Sequence, residues 1–552
     1  MSLAGGQLVV QALASEGVRK VFTVPGESFL PVLDALYEHR SRIGTVSHRH
    51  ESAAGFAADG YAKASGQVGV CLVTRGVGSG NLAIALHTAF QDSTPLVALV
   101  GQVPTTVRHR EAFQEVDLDR VFGAMTKRAF EVTRTERIPE LLQQAFRVAR
   151  SGRPGPVVVA LPEDVLFGAA EAKPLPSVHP SSPRPDAASV ERAAELLLEA
   201  EAPMVLAGRE VLTDGATSRL ARLAKELSLP VMNAFRRCDA FPNDDRHFAG
   251  SLAPGMPLAA VAPLDEADLV LALGVRFTEF TTQGYRYPLP TTQLIHVSSA
   301  GDMAGEWGSP TLPVVASADA FLDDLFAALA GRSVAPGARA EREAAVDRHR
   351  STYQRHATPD EAFVPADGGT RISRVIAALQ RHLPAEAAIV TDVGNFSMWV
   401  PRYYRFTTPG THFGAISGAM GYALPAAVGI AEHVQGKPVV VVAGDGGFAM
   451  TMSELSTVRQ RDLPVLSIVL VNDAYGTIRM HQERHYPGRP IATDLVNPSF
   501  QRIAEAFGIP AETVSGDEAF ERALVARLRR GGPALIEVRL GDERVSAWSD
   551  LR

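Results

Sequence analysis

The sequence predicts an α/β protein with three doubly wound domains, each built on a parallel, Rossmann-like sheet. Short apolar runs typical of buried parallel strands recur along its 552 residues and alternate with helical stretches. A chain of this length is expected to hold about three or four domains. Two segments rich in proline, alanine or charge, about 167–186 and 331–370, interrupt the alternation. We therefore predict domains at residues 1–166, 187–335 and 371–552.

Composition and charge exclude several classes of protein. Apolar residues make up 46% of the chain and charged residues 21%, an ordinary balance for a globular protein. A net charge of −7 offers no basic footprint for nucleic acid, and no apolar run reaches the ~18 residues of a membrane span. Cys71 and Cys238 alone imply no disulfide framework, and the first residues lack the basic region of a secretory signal. We expect a cytoplasmic protein without nucleic acid or membrane partners.

Four apolar runs in the first domain and four in the middle domain predict strands. Those of the first domain are Val21–Val24, Gly69–Thr74, Pro95–Val100 and Pro156–Ala160. Those of the middle domain are Pro203–Ala207, Pro230–Asn233, Asp268–Gly274 and Gln293–Val297. In the first domain, Pro25 and Gly26 follow a strand, and Glu51 opens an alanine-rich helix. An acid at this position has a purely structural interpretation too, as a favourable charge at a helix amino terminus.

The last domain contains a strand, glycine turn, helix and strand in succession. The strands are Val439–Val442 and Pro464–Val471, and the turn is Gly444–Gly447. Two further strands of this domain are predicted, one that begins at Ile389 and runs into a polar glycine turn, and one at Ala534–Leu540. Three apolar residues at roughly helical spacing predict one helix between them: Met450, Leu455 and Val458. A right-handed crossover of this kind places the ends of both strands at the same edge of the sheet, where open α/β sheets bind ligands.

Asp445 lies in that turn and Asn472 follows the second strand. One carboxylate and one amide oxygen suit Mg²⁺, which prefers oxygen ligands and shares its coordination shell with substrate phosphates. A helix amino terminus beside them would supply N–H donors to such phosphates. An alternative is that the motif is simply a glycine turn of an α/β protein.

Several motifs resemble the acetolactate synthase-like family of thiamine diphosphate (ThDP) enzymes. Twenty-five residues separate Gly446 from Asn472, as in the metal–diphosphate motif of that family. The segments HESAAGFAADGYAKASG, beginning at His50, and VCLVTRGVGSGNLAIALHTAFQDSTPLVALVGQVP, beginning at Val70, resemble its pyrimidine-binding domain. The segment 111–115 matches the family's Ala-Phe-Gln-Glu. The resemblance identifies the three domains as pyrimidine-binding, central and diphosphate-binding.

The resemblance also implies residue roles. Glu51 would be catalytic, bonding the pyrimidine ring nitrogen of ThDP. Residues implied to contact the cofactor are Pro25, Gly26, Asn395, Gly418, Met420, Gly444, Asp445, Gly446, Gly447, Asn472, Tyr475 and Gly476. The implied Mg²⁺ ligands are Asp445, Asn472 and the carbonyl of Ala474. The implied substrate contacts are Phe113, Gln114, Ile478 and His481.

By this resemblance the protein decarboxylates a 2-keto acid and joins the product to a second carbonyl compound, as a homodimer or homotetramer with active sites at the subunit interface. FAD stays open: Gly274–Phe277, with Arg276, resembles a nucleotide-contacting segment, but Ser298 and Ser299 stand where relatives often carry an acid.

Two alternatives for the function also stay open. A benzoylformate-type decarboxylase is one, although Thr74 falls where such enzymes carry a catalytic His. A catalytically inactive regulatory relative is the other, although Glu51, Asp445 and Asn472 are intact.

Overall fold

A computed structural model of the chain describes residues 2–303, 309–359, 365, 368–541 and 546–548. Parts of the predicted second linker, and residues 542–545 and 549–552 of the predicted last domain, lie outside the described residues. Within the described part, the chain forms three six-stranded sheets whose strands are all parallel, together with one antiparallel two-stranded pair. The doubly wound α/β fold is confirmed. No described helix is long and apolar enough to cross a membrane.

The first domain alternates strands with helices. Its elements are β1 (Leu3–Ala4), α1 (Gly5–Ser15), β2 (Lys20–Thr23), α2 (Leu30–Glu38), β3 (Gly44–Ser47), α3 (Glu51–Ser65), β4 (Gly69–Thr74), α4 (Arg75–Asp92), β5 (Leu96–Gln102), α5 (Leu118–Phe122), β6 (Arg128–Glu131), α6 (Ile138–Arg150), β7 (Pro156–Pro162), α7 (Glu163–Phe167) and β8 (Ala169–Ala170). The sheet has the order β3-β2-β4-β5-β7-β6, and β1 pairs with β8. The first predicted linker has no helix or strand between β8 and residue 187.

The middle domain has the strand order of a dinucleotide-binding fold. Its elements are α8 (Ala187–Glu199), β9 (Pro203–Ala207), α9 (Arg209–Thr213), α10 (Thr217–Leu227), β10 (Val231–Asn233), β11 (Phe248–Ser251), α11 (Ala262–Glu266), β12 (Leu269–Leu273), β13 (Gln293–Ser298), β14 (Leu312–Val315), α12 (Ala318–Ala328) and α13 (Pro336–His356). The order β11-β10-β9-β12-β13-β14 reverses direction between β9 and β12, which is where such sheets bind ligands.

The last domain repeats the topology of the first. Its elements are α14 (Ile372–His382), β15 (Ala388–Thr391), α15 (Trp399–Tyr403), β16 (His412–Gly414), α16 (Ala423–Ala431), β17 (Val439–Gly444), α17 (Asp445–Thr451), α18 (Leu455–Gln460), β18 (Val465–Val471), α19 (Gly476–His485), α20 (Phe500–Ala506), β19 (Ala511–Ser515), α21 (Asp517–Arg530) and β20 (Ala534–Arg539). Its order, β16-β15-β17-β18-β20-β19, matches that of the first sheet strand for strand. The two outer domains are therefore two versions of one architecture.

Three local features differ from the predictions. The sequence did not predict β3, β6, β11, β14, β16 or β19, and each of these strands lies at the edge of its sheet. The helix predicted after the glycine turn is divided into α17 and α18 by a 3₁₀ turn, Met452–Glu454, and Met450 is 53% exposed because it lies before that break. The second predicted linker contains a long helix, α13, and its Tyr353 packs edge-on against Phe248 of β11 with ring centroids 4.7 Å apart. That helix therefore contributes to the core of the middle domain.

Helices α3 and α16 join the two outer domains of one chain directly. A β-carbon on Gly429 would lie 1.9 Å from the carbonyl oxygen of Ala57, and one on Gly60 would lie 2.4 Å from that of Ala426. Glycine at both positions allows the two backbones to touch. One hydrophobic cluster runs through both domains as a result, from Phe22 to Phe448.

Candidate active site

The predicted pair Asp445 and Asn472 meets at the carboxyl edge of the last sheet. Strands β17 and β18 are paired in register, with Gly444 opposite Leu470, so the residues that follow them are neighbours. The backbone N–H of Asn472 donates to Asp445 Oδ2 at 3.3 Å, and that of Asp473 donates to the same oxygen at 2.8 Å. The crossover predicted from the sequence therefore brings the Asn472 backbone to the Asp445 carboxylate.

The Asp445 carboxylate is buried and its orientation is fixed by several donors. Its Oδ1 accepts from the backbone of Gly446 at 2.9 Å, and its Oδ2 accepts from the Asn497 side chain at 2.9 Å. Burial raises the pKa of Asp445 and the Asp473 carboxylate adds to this, whereas the backbone donors lower it. Asn497 also donates to Asp473, at 2.8 Å, and so bridges the two acids. Sequence analysis missed Asn497.

Oxygen atoms around Asp445 fit a hard cation. Asn472 is exposed, and within the described part of the chain its Oδ1 accepts one long hydrogen bond, 3.3 Å, from the N–H of Ala474. The Ala474 carbonyl accepts from Gly476 at 2.9 Å and retains a second lone pair. Among the described residues, no group of three or more His, Cys, Asp or Glu could hold a metal. One carboxylate with amide and carbonyl oxygens is the sparse donor set that Mg²⁺ accepts when phosphates complete its shell.

The glycines of the turn are required by close contacts. A β-carbon on Gly446 would lie 2.6 Å from the Tyr475 ring, and one on Gly444 would lie 3.0 Å from the Phe396 ring. A β-carbon on Gly447 would lie 3.2 Å from the Asp392 carboxylate. Any side chain here would displace its neighbours and fill the space above the strand ends.

The loop that carries Gly418 and Met420 is anchored at both ends. Ile416 N–H donates to Asp92 Oδ1 at 3.0 Å, in the first domain, and Gly421 N–H donates to Asp392 Oδ1 at 3.0 Å. Gly418 is exposed with φ +75°, a left-handed conformation that favours glycine.

Asp392 is a second residue whose importance the sequence analysis did not recognise. It is buried at the end of β15, and its carboxylate accepts from the backbone of Val393 at 2.7 Å as well as from Gly421. Burial raises the pKa of Asp392 to about 6, against the lowering effect of these donors and of Arg236. Nearby, Asn395 N–H donates to the Thr477 hydroxyl at 3.0 Å, which joins the turn after β15 to α19.

Glu51 is the first residue of α3, as predicted. Its Oε2 accepts from the side chain of Asn81 at 2.8 Å, and its other oxygen lies 3.2 Å from where a β-carbon on Gly78 would be. Gly26 is packed closely against Thr74, since a β-carbon there would lie 2.7 Å from the Thr74 side chain. Pro25 and Gly26 therefore lie at the same carboxyl edge, beside β4.

The predicted substrate residues lie at the surface of the single chain. Phe113 is 70% exposed and Ile478 is 53% exposed, and His481 is exposed one helical turn after Ile478. The Gln114 carbonyl accepts from Gly76 N–H at 3.0 Å, which ties its loop to α4. Arg479, which lies between Ile478 and His481 on α19, pairs with Asp494.

These residues form two groups, one in each outer domain. The group around Glu51 has the contacts described above with Asn81 and Gly78 of the first domain. The group around Asp445 has its contacts with residues 446–497 of the last domain.

A cavity of about 910 Å³ lies at the carboxyl ends of β9 and β12, between the three domains. A β-carbon on Gly208 would lie 2.0 Å from the Gly274 carbonyl, so the two strand ends approach closely. Arg209 lines the cavity, and burial lowers its pKa to about 10. His412 lines it too, and neither of its ring nitrogens has a hydrogen-bond partner among the described residues. A cationic group and an unpaired donor at this position suit a nucleotide diphosphate.

An acid is present where the sequence predicted none. The Glu210 carboxylate accepts from the Ser298 hydroxyl at 2.8 Å and from the Ser299 N–H at 2.7 Å, at the end of β13. Arg276 of the predicted nucleotide segment donates to the backbone carbonyl of Gln91. Its guanidinium therefore joins the first domain to the middle one.

The fold and these residues define a class of protein: α/β proteins with two outer domains of one topology, one presenting the Glu51 carboxylate and the other a cluster of oxygen atoms around Asp445. Models of the thiamine pyrophosphate enzyme N-terminal TPP binding domain, central domain and C-terminal TPP binding domain match residues 3–121, 190–325 and 392–538. The chain belongs to the thiamine pyrophosphate enzyme family and is a ThDP-dependent enzyme.

Relatives along nearly the whole chain are acetolactate synthases. The probable acetolactate synthase large subunit of Methanocaldococcus jannaschii is 32% identical, over 97% of this chain and 92% of that protein. The acetolactate synthase isozyme 3 large subunit of Escherichia coli is 33% identical, over 96% and 92%. The acetolactate synthase of Mycobacterium bovis is 34% identical, over 92% and 83%. The predicted acetolactate synthase-like identity is confirmed.

Proposed function

We propose that this enzyme decarboxylates a 2-keto acid and joins the remaining fragment to a second carbonyl compound, with ThDP and Mg²⁺. The observation that carries the proposal is the meeting of Asp445 and Asn472 at one strand edge, in a chain that also presents Glu51 at the start of a helix. The names of the relatives support the carboligation, since acetolactate synthesis joins two carbonyl compounds.

In this proposal, Asp445, Asn472 and the Ala474 carbonyl hold Mg²⁺ against the cofactor's diphosphate. When bound, ThDP supplies the electron sink for decarboxylation. The glycine turn leaves space for the diphosphate beside the metal. The fixed orientation of the Asp445 carboxylate, with donors on both oxygens, pre-organises this ligand.

Glu51 is proposed to exchange a proton with the pyrimidine ring of the cofactor. Among the described residues its carboxylate has one side-chain donor, Asn81, which binds Oε2, so Oε1 is available for that bond. The Gly418 carbonyl and the Met420 side chain would hold the same ring, because their loop is anchored to both outer domains. Proton transfer then occurs between groups already in place.

The proposal requires at least a dimer, with each active site formed from Glu51 of one subunit and Asp445 of another. Exposed apolar side chains support this arrangement, because large apolar patches on a soluble protein commonly mark interfaces. They occur near both groups: Val77 and Phe113 in the first domain, and Met450 and Ile478 in the last. A tetramer would satisfy the same requirement.

His481 is proposed to influence the choice of acceptor, together with Ile478 and Phe113. By the resemblance, acetolactate synthases tend to carry a Trp where this chain has His481. A polar side chain at this position can hydrogen-bond an acceptor that the apolar Trp would not select. We infer that the acceptor differs from the 2-ketobutyrate preferred by biosynthetic acetolactate synthases. Competition between pyruvate and 2-ketobutyrate as acceptors tests this point, and strong 2-ketobutyrate preference would contradict it.

FAD is proposed as a ligand of the middle cavity. Arg209, His412 and the Glu210 carboxylate supply groups for a diphosphate and a ribose. Flavin absorbance of the protein as purified, lost in an Arg209→Ala variant, would support this assignment. A colourless protein that does not take up added FAD would contradict it.

A panel of 2-keto acids offered to the holoenzyme, with products identified by mass, tests the main proposal. We expect carbon dioxide release and a product that combines two carbonyl compounds. An aldehyde as the sole product would favour the simple decarboxylase. No 2-keto acid consumption, in a protein that binds ThDP, would favour the inactive relative and contradict the proposal.

A further inference from the structure

Three residues before Glu51, the first domain is tied to the last domain by a buried carboxylate. The side chains of His48 and Glu454 are both 0% exposed, and His48 Nδ1 lies 2.8 Å from Glu454 Oε2. The backbone N–H of Arg49 donates to Glu454 Oε1 at 2.8 Å. Glu454 ends the 3₁₀ turn between α17 and α18, so it is carried by the segment that begins at Asp445.

Contacts beside this pair hold the same segment. The Thr457 hydroxyl donates to Glu454 at 2.7 Å, and Arg49 Nε donates to the Ser456 hydroxyl at 2.9 Å. Burial opposes the charge of Glu454, but hydrogen bonds from His48, Thr457 and the Arg49 N–H lower its pKa. A buried carboxylate kept ionised by three donors is costly to disturb, because removing a partner leaves an uncompensated charge.

In the first domain, His48 and Arg49 lead directly into the amino terminus of α3. His50 caps that helix, with its ring nitrogen accepting from Ser52 N–H at 3.2 Å, and Glu51 is the first helical residue. Further along, α3 is held by its close crossing with α16 at Gly60. The start and the middle of α3 are thus located by the last domain of the same chain.

We propose that Glu454, acting through His48 and Arg49, is a positioning residue that places the Glu51 carboxylate for proton exchange with the cofactor. This inference rests on the proposed function. The pair fixes where α3 begins on the last domain of its own chain, and Glu51, as the first residue of that helix, has no freedom to compensate for a shift. A misplacement of about 1 Å can cost about 10²-fold in rate.

The chain supplies a matched control. Glu432 is a second buried carboxylate between the same two domains, and it pairs with Lys20 and, at 2.7 Å, with Arg461. Lys20 begins β2, so this bridge lies at the amino ends of the strands, away from Glu51. Loss of Glu432 weakens the domain junction without moving the start of α3.

The experiment measures exchange of the thiazolium C2 proton of bound ThDP with deuterium, by NMR after acid quench. Full-length Glu454→Gln and Glu432→Gln are compared with the wild type, with Mg²⁺ present and ThDP affinity measured alongside. We expect Glu454→Gln to slow exchange about 10²-fold with little change in ThDP affinity. Glu432→Gln should exchange at nearly the wild-type rate, although both variants lower Tm. His48→Asn, which keeps an N–H donor, should exchange faster than His48→Ala.

Exchange at the wild-type rate in Glu454→Gln, or equal slowing in Glu432→Gln, would overturn the positioning role. If Glu454→Gln does not fold, the exchange rates of His48→Asn and His48→Ala test the positioning role instead. Equal exchange rates in these two variants would overturn that role. A wild-type protein that exchanges no faster than free ThDP would contradict the proposed function itself, which separates the two failures.

Discussion

At the scale of the residue, the two carboxylates central to the proposal are held in different ways. Asp445 has backbone donors on both oxygens and a side-chain donor, Asn497, so the orientation of its carboxylate is fixed. Glu51 has one side-chain donor, Asn81, and glycine beside it at Gly78. A fixed carboxylate suits a metal ligand, whereas a less constrained one suits proton exchange.

The role of Glu51 is tested by Glu51→Gln. Gln keeps the shape but cannot exchange the proton, so we expect ThDP binding to persist and the steady-state rate to fall roughly 10²–10⁴-fold. Glu140→Gln is the control. Glu140 lies in the first turn of α6, so it shares with Glu51 only the favourable negative charge at the start of a helix. Equal rates in the two variants would show that Glu51 is a structural charge.

The Asp392 carboxylate predicts a pH dependence of stability in the protein without ThDP. Its folded pKa of about 6 lies above the unfolded value of about 3.9, so the folded state binds the extra proton between these pH values. The stability contribution of Asp392 is therefore fully present below about pH 4 and is lost as pH rises through 6. We expect the Tm of the wild type, relative to that of Asp392→Asn, to fall across this range. A difference that stays constant with pH would contradict the assignment.

Sequence analysis located Asp445, Asn472 and Glu51 because strand ends and a helix start determine where such residues lie. It could not locate Asn497 or Asp392, whose roles depend on loops that return to the strand edge from elsewhere in the chain. Asn497 reaches Asp445 across 52 positions, and Asp392 reaches Gly421 across 29. No local pattern encodes such contacts.

At the scale of the element, the four central strands of every sheet were predicted and both edge strands were not. Central strands such as β17 and β18 are buried on both faces, so they form continuous apolar runs. Edge strands β6, β14 and β19 are partly exposed, which breaks that pattern. Strands β11 and β16 are buried but only four and three residues long, with glycine in each. A strand could therefore be predicted from the sequence where it is long and buried on both faces.

The crossing of α3 and α16 is tested by Gly429→Ala. The added methyl would meet the Ala57 carbonyl, so the helices must separate, and we expect a loss of about 1–3 kcal/mol in stability. Gly337→Ala is the control, since Gly337 lies in α13 and no described atom lies within 4 Å of where its β-carbon would be. It should leave stability unchanged or raise it slightly. A Gly429→Ala protein as stable as this control would show that the crossing is not tight.

At the scale of the whole molecule, two domains of identical topology are joined within a chain by α3 and α16. Both carry their candidate site residues at the carboxyl edges of their sheets, and both present exposed apolar side chains near those residues. An assembly in which the first domain of one subunit faces the last domain of another would cover them.

That assembly is tested by mixing two inactive variants. Glu51→Gln chains carry an intact metal edge, and Asp445→Ala chains carry an intact Glu51. If each site takes one residue from each subunit, mixed dimers contain one complete site, and unfolding and refolding the chains together restores about a quarter of wild-type activity. Each variant refolded alone is the control. No recovery, with mixed dimers shown to form, would place each site within one chain.

The central claim, that the edge formed by Asp445 and Asn472 binds a diphosphate cofactor through a metal, is tested most directly by calorimetric titration of ThDP. We expect wild-type protein to bind ThDP when Mg²⁺ is present and to lose that binding when the metal is chelated. Asp445→Ala should keep the fold, judged by circular dichroism, and show no ThDP binding with Mg²⁺ present. Undiminished ThDP affinity in folded Asp445→Ala would contradict the claim.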